Sequence, residues 1–101
     1  GYDHNYVLGR PGEKKIMANA YCRESGIALE AETDCCGVQF YAGNFIGEQT
    51  GKGGAAYHDR SAFCLESQFY PNAVNEPDFP SPVVKAGHTY HTETSYRFYL
   101  R

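Results

Sequence analysis

No cluster of lysine and arginine occurs anywhere in this sequence of 101 residues, whose nine basic side chains are scattered and outnumbered by twelve acidic ones, for a formal net charge of −3. Binding to a phosphate backbone depends on clustered positive charge, so nucleic acid and other polyanions are excluded as expected partners. No apolar run approaches the roughly 20 residues that a membrane-crossing helix needs, and the first residues hold no apolar stretch of the signal-peptide kind. The expected chain is soluble and has no membrane partner. Internal repeats, low-complexity tracts and linker-like shifts of composition are also missing. The glycines of Gly51-Lys52-Gly53-Gly54 lack the strand-then-helix setting of a phosphate loop and read as a flexible loop.

Cysteine is sparse. Cys22, Cys35, Cys36 and Cys64 could in principle form two disulfides in three connectivities. The set contains no C-x-x-C pair, Cys35 and Cys36 face apart if the chain is extended, and small disulfide scaffolds carry denser cysteine. Free, mostly buried thiols in a reducing, cytoplasmic setting are therefore expected, with an extracellular disulfide module as the alternative. His88 and His91 are three apart, an offset that turns them to opposite sides of a strand, so no metal site is expected.

What the sequence does have is aromatic and β-forming. Nine Tyr and six Phe without any Trp, within 42% hydrophobic residues, favour strands, and the Gly and Pro residues fall between apolar runs as turn signals. The length allows one domain at most, since domains run to roughly 50–250 residues. Lys15–Cys22 and Ile27–Thr33 flank Glu24-Ser25-Gly26 as the arms of a hairpin, with Ile27, Leu29, Ala31 and Thr33 turned one way and Glu30 and Glu32 turned to solvent. Val38–Ala42 is a further strand, and a polar, mobile loop is expected from about Gly47 to Arg60. Tyr70–Pro82 holds four prolines and reads as an ordered extended loop. Alternation from Thr89 to Leu100 predicts one long C-terminal strand. The fold class expected is all-β, an antiparallel β-sandwich.

Glu66 stands out within Phe63-Cys64-Leu65-Glu66-Ser67-Gln68-Phe69. Alternation sends Phe63, Leu65, Ser67 and Phe69 to one face and Cys64, Glu66 and Gln68 to the other, so packing on the first face would fix the acid on the second. A catalytic carboxylate on a rigid mount and a solvent-facing charge on an outer sheet face fit this window equally well. Taken singly, Asp3 reads as a turn or Asx cap beside Asn5, and Gln39 as an edge-strand amide.

Three segments carry a family resemblance together: Gly1-Tyr2-Asp3-His4-Asn5-Tyr6-Val7-Leu8, Gly37-Val38-Gln39-Phe40-Tyr41-Ala42-Gly43-Asn44-Phe45, and Phe63-Cys64-Leu65-Glu66-Ser67-Gln68 followed by Tyr70-Pro71-Asn72-Ala73-Val74-Asn75. In this order and spacing, and with Lys85-Ala86-Gly87-His88-Thr89-Tyr90 ahead of the last strand, the chain resembles the C-terminal third of the aldose 1-epimerase (mutarotase) family. The resemblance implies that residues 1–101 are the C-terminal portion of a single galactose mutarotase-like sandwich domain, in keeping with a chain that begins at Gly1, inside a motif.

The activity so implied is interconversion of the α and β anomers of hexoses such as galactose and glucose, in which a base takes the C1 hydroxyl proton and an acid protonates the ring oxygen. That chemistry needs no cofactor. The resemblance assigns the general base to Glu66 and sugar hydroxyl contacts to Asp3 and Gln39. Each residue type suits its role, since a carboxylate is ionised at neutral pH, and Asp and Gln offer acceptors and donors to a polyol. The family's acid histidine matches none of His4, His58, His88 and His91, so it is expected in a preceding N-terminal portion of the same enzyme, the expected partner besides the hexose. The 101 residues alone are then expected to be inactive and poorly soluble. The alternative is a non-catalytic carbohydrate-binding β-sandwich in which the three residues only hold sugar hydroxyls. A sugar-phosphate epimerase would require clustered basic residues, whereas Arg10, Lys14, Lys15 and Lys52 are scattered.

Overall fold

The computed structural model describes residues 1–101, and all of its regular structure is strand apart from two single turns of 3-10 helix. The strands are β1 (Asp3–Val7), β2 (Lys15–Tyr21), β3 (Ile27–Thr33), β4 (Gly37–Tyr41), β5 (Gln49–Thr50), β6 (Ala56–Tyr57), β7 (Cys64–Gln68) and β8 (Thr94–Leu100). Every pairing is antiparallel. One sheet has the order β1-β4-β7, a second has β2-β3-β8, and β5 and β6 form a small ribbon. The all-β antiparallel expectation is met. No helix is long and apolar enough to cross a membrane.

The β2–β3 hairpin closes through Cys22–Gly26, where the Gly26 amide donates to the Cys22 carbonyl and Gly26 takes a φ of 72°, a conformation that costs glycine little. One irregularity shapes the core. Ile16 pairs with Glu32 but Ala18 pairs with Ala31, so Met17 is an extra residue in β2. Such a bulge bends the strand and lets two consecutive side chains lean to one side. Met17 thereby joins Ala31 and Val38 in the buried centre, with Leu8, Ala18 and Leu65 packed around them. This centre lies between the two sheets. Hydroxyls also bridge them, with Ser67 of β7 3.0 Å from Thr94 of β8, and the Tyr96 hydroxyl donates to the Leu65 carbonyl at 3.2 Å.

Five expectations need correction, the first being that the thiols are not mostly buried, since Cys22 and Cys64 are exposed. Residues 89–93 are not strand, because Asp34 captures them: its carboxylate accepts from the Thr92 hydroxyl at 2.6 Å and from the Glu93 amide at 2.9 Å, so β8 begins only at Thr94. The span from Gly47 to Arg60 is not a plain loop, since β5 and β6 pair within it around a 3-10 turn at Lys52–Gly54. Asp3 is not in a turn but opens β1. In β3, Ile27 is exposed and Ala28 is buried. Ala28 lies across from Tyr21 on one side and Tyr99 on the other, whose rings carry the Arg101 and Arg97 guanidinium groups over them, so even the outer face of this sheet is partly covered. Glu30 and Glu32 on that face are half-buried and lie near Arg97 and Lys14 at 3.7 and 3.9 Å.

Candidate functional site

The first sheet brings together the three residues singled out by sequence. In its registers Asn5 lies opposite Gln39, and Gln39 lies opposite Glu66, so these three form one row across β1, β4 and β7. Directly opposed residues share a face, as do residues two apart on one strand. Asp3 therefore joins the row's face, and its carboxylate Oδ1 accepts a hydrogen bond from Gln39 Nε2 at 2.8 Å. Tyr41 and Cys64 lie beside Asp3 in the adjoining row.

The opposite side of the same strands explains why the row is fixed. Val38 is buried in the core, Leu65 packs on it, and Ser67 is tied to Thr94, so the backbones on either side of Gln39 and Glu66 are held from within. Glu66 itself is exposed. None of the chain's ion pairs engages it, since these join Lys14 to Glu32 and Glu93, and Arg97 to Glu30, all away from this face. The carboxylate is thus free to accept from a ligand.

Further polar capacity on this face is unspent. Asn5 Nδ2 and Gln39 Oε1 are buried without partners, a donor and an acceptor on directly opposed residues. Buried polar atoms without partners are uncommon in folded chains, and here they sit next to the Asp3 contact. Gly37 provides the space for Asn5. A Cβ on Gly37 would come to 3.0 Å from both Asn5 Oδ1 and the Tyr70 ring, so any larger residue there would press on both side chains. Tyr70 in turn packs edge-on against Phe79 from the proline-rich segment, with ring centroids 5.2 Å apart. Beyond the other end of β4, the Phe45 amide donates to the Tyr41 hydroxyl at 2.9 Å, which folds the turn after β4 toward the site and leaves the Phe45 ring largely in solvent.

The charge of the face is equally specific. Asp3 and Glu66 are its acids, and β1, β4 and β7 contain no Lys or Arg. Hydroxyl protons suit such a surface, whereas a phosphate would meet like charge. The histidines lie elsewhere. His4 pairs opposite Phe40 and so faces away from Asp3, with its Nδ1 accepting from the Asp3 amide at 3.1 Å and its ring edge-on to Tyr2. His58 follows β6, and His88 and His91 lie in the segment before β8; all three are exposed. Sequence reasoning singled out neither Asn5 nor Tyr41 as a site residue. The parity that pairs Asp3 with Asn5 and Gln39 with Tyr41 was the available signal.

The sequence model of the family described as aldose 1-epimerase matches residues 1–97. Among curated relatives, the chain is 46% identical over 99 residues to galactose mutarotase of Sus scrofa and 44% identical over 99 residues to galactose mutarotase of Homo sapiens. It is 35% identical over 101 residues to aldose 1-epimerase of Escherichia coli K12. Each of these alignments covers 97% of this chain and 29% of the relative. The chain thus spans less than a third of the length of the curated relatives it matches.

Proposed function

Because this chain belongs to the aldose 1-epimerase family, we propose that the whole protein interconverts the α and β anomers of a hexose such as galactose or glucose, and that residues 1–101 supply its general base and part of its sugar site. The observation that carries this reading is the grouping of Asp3, Gln39 and Glu66, widely separated in sequence, on one sheet face with an unpaired carboxylate among hydroxyl-binding groups.

In this reading Glu66 accepts the proton of the C1 hydroxyl. As that O–H bond breaks, the C1 oxygen becomes a carbonyl and the C1–ring oxygen bond cleaves, with the ring oxygen taking a proton from an acid. Rotation about C1–C2 presents the other carbonyl face, and reclosure with the proton transfers reversed gives the other anomer. Asp3, held by Gln39, accepts from a sugar hydroxyl and fixes the ring against these steps. The acid of this reading belongs to a portion of the enzyme outside these residues, since the sheet face that carries Asp3, Gln39 and Glu66 holds no histidine.

Polarimetry of the full-length protein with freshly dissolved α-galactose tests the proposal. Optical rotation should relax far faster than in buffer, and relaxation at the buffer rate with the sugar bound would leave only a carbohydrate-binding module.

A further inference from the structure

The link between the two sheets carries chemistry that sugar conversion does not use. Residues 34–36 bend between β3 and β4, and two of them are the adjacent free thiols Cys35 and Cys36, which are 7% and 1% exposed. Both cysteines lie in this bend outside either strand, and both line one crevice. Their surroundings differ. Cys35 Sγ lies 3.0 Å from the Thr92 hydroxyl, with the hydroxyls of Thr33, Ser67 and Tyr90 nearby. Burial pushes the Cys35 thiol up, but these four hydroxyls outweigh it and hold the group below its ordinary value. Burial pushes the Cys36 thiol up by more than its own backbone amide and the Tyr70 hydroxyl bring it down, and its Sγ lies 3.9 Å from the Gln68 carbonyl oxygen.

A crevice of about 40 Å³ lies against the pair, lined by both cysteines together with Tyr90, Thr92 and His91 and reaching exposed Pro11 and Gly12. A water molecule's share of liquid volume is about 30 Å³, so the crevice fits a molecule of that scale. Hydrogen peroxide is one, and it reacts with thiolates.

We propose that Cys35 and Cys36 form an oxidisable dithiol site for a small hydroperoxide, with Cys35 as the attacking thiol and Cys36 as the resolving one. The Cys35 sulfur attacks one peroxide oxygen; an S–O bond forms as the O–O bond breaks, and the leaving hydroxide takes up a proton to become water. Cys35 is then a sulfenic acid. The Cys36 sulfur attacks the Cys35 sulfur, an S–S bond forms as the S–O bond breaks, and the departing hydroxyl leaves as water with the Cys36 proton. Two thiols lose two electrons and two protons, and one peroxide becomes two waters. The Gln68 carbonyl beside Cys36 Sγ belongs to a residue that pairs with Gly37, the first residue of β4. The strand that carries Gln39 thus begins next to the modified pair.

The test uses the full-length protein with the exposed Cys22 and Cys64 replaced by serine, exposed to hydrogen peroxide and read by mass spectrometry after alkylation. The expected product has lost two hydrogens, with neither Cys35 nor Cys36 alkylated until a reductant is added. In the same background, Cys36→Ser should stop at a Cys35 sulfenic acid captured by dimedone, and Cys35→Ser should slow oxidation of Cys36 at least tenfold. Cys35 and Cys36 both remaining alkylatable under peroxide that oxidises free cysteine would overturn the proposal, as would oxidation of Cys36 without Cys35. Peptide mapping of the variant that retains both thiols decides the matter even if the single replacements do not fold. The readout is independent of sugar turnover.

Discussion

Gln39 holds the site together at the level of single residues. It lies opposite both Asn5 and Glu66 in its two ladders, and its side-chain amide reaches diagonally to the Asp3 carboxylate. A hydrogen bond to a charged group contributes about 1.5–3 kcal/mol, which corresponds to roughly 10–100-fold in an equilibrium constant. Replacing Gln39 with Ala leaves Asp3 without its donor, so steady-state kinetics of the full-length Gln39→Ala enzyme should show kcat/KM reduced by about that factor, with KM raised. Asp3→Asn should act in the same direction, because an amide accepts a sugar hydroxyl less strongly than a carboxylate does. Unchanged kinetics in both variants would remove the sugar-binding role of this pair.

Among the elements, the link from β3 to β4 shows how a side chain can end a strand that alternation alone would extend. Asp34 binds the Thr92 hydroxyl and the Glu93 amide, and Thr92 also meets Cys35. The hydrogen bond from Thr92 and the backbone one from Glu93 hold the Asp34 carboxyl below the usual aspartate value. A carboxyl whose pKa falls on folding contributes stability that is full above its unfolded value of about 3.9 and is lost as pH drops through the lower folded value. Thermal unfolding of the full-length protein should therefore lose stability more steeply below pH ~4 than the Asp34→Asn variant does, and parallel curves would show that the clasp adds nothing. The same elements mark how far the fold and the site are legible in sequence. Period-two alternation placed β3, β4 and β7 and put Cys64, Glu66 and Gln68 on one face, since alternation is a property of the strand itself. It could not show the bulge at Met17, the late start of β8 or the diagonal from Gln39 to Asp3. Those depend on register and on side chains distant in sequence, and neither leaves a periodic trace.

The molecule as a whole is open. Its radius of gyration is 16.3 Å, against about 13 Å for a compact domain of 100 residues, and only ten of its 101 residues are buried. Phe98 and Leu100 of β8 and Val7 of β1 remain largely exposed, and an apolar crevice of about 510 Å³ runs between the sheets past Tyr6, Met17, Phe40 and Leu65. Apolar surface of this extent promotes association, so the 101 residues expressed alone should elute as oligomers in size-exclusion chromatography and bind a hydrophobic dye, and a dye-silent monomer would contradict this. In the proposed mechanism the acid lies outside these residues, so they should also fail to accelerate mutarotation. The sharpest single measurement is NMR exchange between the α and β anomers of galactose with full-length protein and its Glu66→Gln variant. General-base catalysis contributes about 10²–10⁴-fold, so the variant is expected to keep shifting on sugar addition while anomer exchange slows by that order. Exchange at the wild-type rate in folded Glu66→Gln protein would contradict the assignment of Glu66 as the base.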